Sequence, residues 1–74
     1  MAALRPLKIR EVIRALARLG FQKTSQKGSH AKFKHPDGRW TVVPIRGSQE
    51  IDRCLLHKII KECEVTDDEF MALI

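Results

Sequence analysis

The sequence predicts an α+β domain: a helix, a three-stranded antiparallel sheet, a second helix and a short C-terminal helix. Three observations lead there. Apolar residues recur with helical period over residues 8–19 and again over 52–63. Between those stretches the period falls to two. Gly, Pro and Asp punctuate each change of period. With 74 residues the chain reads as one domain, 1–74, with a small core, since a domain of this size buries only about 60–65% of the surface its unfolded chain exposes.

The first helix carries Ile9, Val12, Ile13, Leu16 and Leu19 on one face, with Arg10, Arg14 and Arg18 on the other. Pro6 suits its approach and Gly20 its end. No Ser, Thr, Asp or Asn occurs in residues 1–8, so this helix starts without a good side-chain cap and is expected to fray. Phe21–Gln26 then reads as a first strand ending in a Lys27-Gly28 turn, and Ser29–His35 as a second. In the second strand Ala31 and Phe33 share one face, His30, Lys32 and Lys34 the other. Pro36-Asp37-Gly38-Arg39 is a hairpin turn. Trp40–Ile45 is the third strand, with Pro44 at its end or on an edge. If Thr41 and Val43 face the helices, Trp40 and Val42 face out beside the basic strand, which is the favoured orientation over a packed Trp40. The second helix buries Leu55, Leu56, Ile59, Ile60 and Cys63, with Asp52 the first choice of N-cap and Ser48 the second. Thr66-Asp67-Asp68-Glu69 is a capping box opening the last helix, whose Phe70, Leu73 and Ile74 need a surface to pack on.

Charge is divided unevenly. Residues 1–46 hold eleven Lys and Arg against Glu11 and Asp37, while residues 47–74 hold three bases against seven acids. Basic side chains gathered in one part of a small domain are the footprint of a polyanion, because neutralised phosphates release counterions. The same charges also read as a solvated surface. No apolar run approaches the roughly 20 residues of a membrane span. Met1-Ala-Ala-Leu-Arg-Pro holds no apolar stretch of about 7–15 residues, so no secretory leader is expected. Cys54 and Cys63 stand about 13 Å apart along one helix, too far for a disulfide. A reduced, cytoplasmic protein follows from that reading.

Among candidate reactive groups His30 comes first. It follows a Gly turn, faces the same way as Lys32 and Lys34, and imidazole can pass a proton near neutral pH. Flanking ammonium groups suit a scissile phosphate. RNA brings its own nucleophile, the 2′-hydroxyl, so one base and some cations suffice for cleavage without a metal, and RNA rather than DNA is the expected polyanion. His30 also reads as an ordinary surface residue of a basic strand, which leaves a non-catalytic RNA-binding module as the second hypothesis. His35 precedes a turn and His57 sits on a charged stretch of helix, so both weigh less. Cys54, His57 and Cys63 match no compact zinc pattern, and no metal or cofactor is expected. There is neither a Walker-type phosphate loop nor a Ser-His-Asp arrangement around Ser29. An outward Trp40 would stack on a base.

Taken together, Leu16-x-x-Leu19-Gly20-Phe21, Gln26-Lys27-Gly28-Ser29-His30-x-Lys32-Phe33-x-His35-Pro36-Asp37-Gly38-Arg39 and Val43-Pro44 resemble the HicA-type toxins of bacterial toxin–antitoxin pairs over roughly residues 8 to 70. The resemblance implies a fold similar to double-stranded-RNA-binding domains, with helices on one face of the sheet. It also implies ribonuclease activity on messenger RNA, stopping translation and growth until a HicB-type antitoxin masks the site. By position the family's catalytic histidine falls on His30, with Gly28 and Ser29 placing it. Lys27, Lys32, Lys34, Arg39 and Arg46 are assigned here to phosphates on electrostatic grounds. Arg46 stands where relatives often carry His, and Arg53-Cys54-Leu55 where they often carry Gly-Thr-Leu.

Overall fold

The chain enters through a two-residue strand, β1 (Leu7–Lys8), which turns directly into helix α1 (Ile9–Leu19) in the computed structural model, describing residues 4–45 and 50–74. A meander follows: β2 (Gln22–Lys27), β3 (His30–Lys34) and β4 (Trp40–Pro44), paired antiparallel in the order β2-β3-β4. The short strand β5 (Glu50–Ile51) leads into α2 (Arg53–Glu62), and α3 (Asp67–Met71) closes the chain. This is the expected α-β-β-β-α order of a double-stranded-RNA-binding-type fold with a short extra helix. Among the described residues no helix is long and apolar enough to cross a membrane.

Both helices lie on one side of the sheet because their apolar stripes have only one apolar surface to meet. Val12, Ala15 and Leu16 of α1, Leu56, Ile59 and Ile60 of α2, and Ala31, Phe33 and Val43 of the sheet join one buried cluster with Leu7, Ile51 and Phe70. Each such large side chain contributes about 1.5–3 kcal/mol by leaving water. Thr41 faces the helices as expected and is fully buried, its Oγ1 donating to Glu62 Oε1 at 2.8 Å. The helical layer does not reach β2. That strand is exposed along its whole length, an edge protected by its polar and basic composition.

Several boundaries differ from the sequence reading. The N-terminus of α1 does have a side-chain partner: Glu11 reaches back and accepts from the Lys8 backbone N–H at 3.0 Å. A carboxylate three residues into a helix does this from the inside, so the missing Ser or Asp is partly replaced. The antiparallel pairing of Leu7 with Ile51 and Lys8 with Glu50 was not expected, because two-residue strands carry no period. The first hairpin turn falls on Gly28-Ser29, with Lys27 paired to His30, one residue later than predicted. Asp52 is the N-cap of α2, its Oδ1 accepting from Leu55 N at 2.8 Å, while Ser48, the other choice, lies outside the described residues. The Thr66 box forms as read, with Glu69 N donating to Thr66 Oγ1 at 3.1 Å.

Neither cysteine is in a disulfide: Cys54 is exposed and Cys63 buried. Burial pushes the Cys63 thiol up to about 11. A thiol reagent should therefore label Cys54 promptly in the native protein and Cys63 only as fast as the chain opens. Rapid labelling of both sulfurs, counted by mass spectrometry, would contradict the packing of α2 described here.

Candidate nucleic-acid interface

The sheet face turned away from the helices is where the predicted basic residues meet. Directly paired residues of antiparallel strands point to the same side, so register alone builds the surface. Lys27, His30 and Pro44 form one row across the three strands, Ser25, Lys32 and Val42 the next, and Gln22, Lys34 and Trp40 the third. Lys27, His30 and Lys34 are exposed and Lys32 half-buried. Trp40 points outward, 49% exposed, and the Lys32 Nζ lies 4.5 Å from its ring centroid. This cation–π contact holds the indole and the ammonium together on the surface. An open aromatic ring beside three further cationic or titratable side chains is a stacking platform for a base next to sites for its phosphates.

A bulge decides which lysines take part. The register between β2 and β3 shifts between Lys23 and Ser25, leaving Thr24 as the extra residue, with its Oγ1 3.4 Å from the Lys32 carbonyl oxygen. Before the bulge, Lys23 pairs with Phe33 and so lies on the helix side, where its Nζ donates to Gln26 Oε1 at 2.9 Å. Alternation along an unbroken strand would have put Lys23 on the basic face instead. No pattern in Lys23-Thr24-Ser25 announces the slip.

Gly28 and Ser29 set where His30 begins. Gly28 has φ +60° and a Cβ there would meet nothing, so backbone conformation rather than space requires glycine. With positive φ at the first turn position only, the turn matches type II′, whose twist suits a tight hairpin. Ser29 acts through its backbone: its carbonyl accepts from Ile45 N, tying the turn to the end of β4. His30 thus stands at the corner where the basic face meets a cleft of about 220 Å³ lined by Ile9, Pro44, Glu50, Ile51, Asp52 and Leu55. Glu50 was not singled out from the sequence. It sits on a strand too short to read, and only the β1–β5 ladder brings it beside His30.

Arg39, assigned to phosphates on electrostatic grounds, is not on this face. Its Nη1 donates to the Cys63 carbonyl at 2.6 Å, its Nε to Asp37 Oδ2 at 2.7 Å, and its guanidinium lies 5.4 Å from the Phe21 ring centroid. It ties the second hairpin to the C-terminus of α2. Strand parity carried the signal, since the residue before an outward Trp40 points inward. The Arg39 backbone N–H, helped by its guanidinium and by His35, holds the Asp37 carboxyl below its ordinary range against a smaller desolvation effect. His35 belongs to the same cluster: it packs edge-on against Phe21 and its Nδ1 accepts from Asp37 N at 3.1 Å. A Cβ on Gly20 would come within 2.9 Å of its Nε2, so Gly20 also makes room for this ring. His57 is exposed on α2, beside Leu4, Arg53 and Cys54, and does not line the cleft that His30 lines. Arg46 lies outside the described residues. Among the described residues no three His, Cys, Asp or Glu side chains are placed to share a metal ion.

No curated protein matches this chain. A family model described as the HicA toxin of bacterial toxin-antitoxin matches residues 9–65. That span runs from the first residue of α1 past the end of α2 and takes in the whole sheet with Gly28, Ser29 and His30. The chain belongs to the HicA toxin family.

Proposed function

We propose that this toxin is a metal-independent endoribonuclease that cuts messenger RNA in the cytoplasm, with His30 as general acid or base. The observation that carries the reading is one uncovered surface holding Lys27, His30, Lys32, Lys34 and Trp40, with the imidazole at its edge. A bound strand would lay its phosphates along the lysines and a base on the indole, bringing a scissile linkage to His30. The 2′-oxygen attacks the phosphorus, the 5′-oxygen leaves, and the imidazole moves a proton between the enzyme and one of these oxygens. Gly28 and Ser29 serve as positioning residues. Membership of a toxin–antitoxin family implies a cognate antitoxin as partner. A HicB-type protein presenting acidic groups would mask this face, and translation and growth stop when it is absent.

The test is incubation of the purified protein with a long unstructured RNA in EDTA. Shortened RNA supports the ribonuclease. RNA that stays intact but shifts on a gel identifies a non-catalytic binding module instead. The lysines are checked separately with 2′-O-methyl RNA, which lacks the nucleophile. Lys27→Ala, Lys32→Ala and Lys34→Ala should each lower the slope of log affinity against log salt by about 0.7, while Arg39→Met should leave that slope unchanged. Equal slopes for all four variants, read by fluorescence anisotropy, would remove the lysines from the interface.

A further inference from the structure

We infer that Glu50 is the second acid–base group of the site, taking the proton from the 2′-hydroxyl while His30 supplies one to the leaving oxygen. This rests on the ribonuclease reading above and deepens it. Transesterification moves two protons, one off the attacking oxygen and one onto the departing oxygen, and a single imidazole must otherwise serve both ends. Glu50 and His30 line the same cleft, one from β5 and the other from the start of β3. The Glu50 side chain is exposed, with no hydrogen bond or ion pair to any described residue. The other carboxylate there, Asp52, is occupied in capping α2 through Leu55 N. Ile9, Pro44, Ile51 and Leu55 complete the lining of the cleft.

In balanced form the carboxylate of Glu50 accepts the 2′-hydroxyl proton as the 2′-oxygen forms its bond to phosphorus. The bond from phosphorus to the 5′-oxygen breaks, and the imidazolium of His30 protonates that oxygen. A 2′,3′-cyclic phosphate and a 5′-hydroxyl result, with Glu50 left protonated and His30 neutral. The charged groups around the pair are Lys27 beside His30, Lys8 opposite Glu50 in the β1–β5 ladder, and Asp52 at the α2 cap.

The experiment measures single-turnover cleavage against pH for the parent, Glu50→Gln and Glu50→Asp, with 2′-O-methyl RNA binding and circular dichroism alongside. The parent should give a bell-shaped profile, rising as the carboxylate deprotonates and falling as the imidazolium is lost. Glu50→Gln should be about 100-fold slower at the optimum. It should lose the acidic limb, keep the basic limb, and bind RNA at least as well, and Glu50→Asp should restore part of the rate. Parental cleavage by Glu50→Gln overturns this assignment and leaves His30 standing. A slower Glu50→Gln that keeps both limbs also overturns it, giving Glu50 a positioning role. Absence of cleavage by the parent itself overturns this assignment and the ribonuclease reading together.

Discussion

His30→Ala is expected to cut RNA at least about 10²–10⁴-fold more slowly than the parent and to lose growth arrest with it, while folding normally. Removing the imidazole from the basic face leaves the lysines to bind substrate with no group there to protonate the departing oxygen. The side chain is exposed, so its loss should change stability by no more than about 0.5 kcal/mol. Thermal melting and single-turnover cleavage on the same preparation separate the two claims. A parental rate in His30→Ala places the chemistry elsewhere, and a collapsed melting transition means that His30 supports the hairpin. The 2′-hydroxyl is the other half of the argument. A single 2′-O-methyl group at the cut should block cleavage there without weakening binding, because the lysines read phosphates and the indole reads the base plane.

The residues that place His30 show how far the sequence could be read. A stripe such as Ile9, Val12, Leu16 has many coherent members, and so does the alternation of Ala31 and Phe33 with Lys32 and Lys34, because each repeats a local geometry. The helices, the meander and the basic face were legible for that reason. So was the Asp52 cap, since a capping side chain bonds within three residues of itself. The features that were not legible depend on one residue or on distant pairing. Thr24 shifts a register and sends Lys23 to the opposite face with no local mark in the sequence. Arg39 looks like any surface base until its inward parity is set against the C-terminus of α2, distant in the chain. Glu50 enters the site only because a two-residue ladder joins the start of the domain to the start of α2. Charge counting assigned Arg39 and passed over Glu50 in the same way, by weighing sign without direction.

Phe70→Ala is expected to be the most destabilising of these substitutions, costing about 3–5 kcal/mol. Phe70 is fully buried, yet it lies in α3, beyond the residues matched to the family model. Its helix has five residues and could not persist alone; it is held by the Thr66 capping box and by Arg18 Nη1, which donates to the Leu73 carbonyl at 2.8 Å. The ring is therefore the fully buried side chain that α3 contributes to the core, and truncating it leaves a cavity in the one buried cluster that the sheet and both longer helices share. A domain of 74 residues has roughly 4–11 kcal/mol of stability in all, so the loss would take a large share of it. Urea denaturation should show a markedly lower midpoint with little change in slope. A loss below about 1 kcal/mol would instead mean that α3 lies on a core already closed by α2 and β4. The comparison with His30→Ala bears on function, since growth arrest should disappear in both variants for different reasons. Cleavage by Phe70→Ala should return when the assay is cooled below its melting transition, whereas His30→Ala should remain inactive at every temperature.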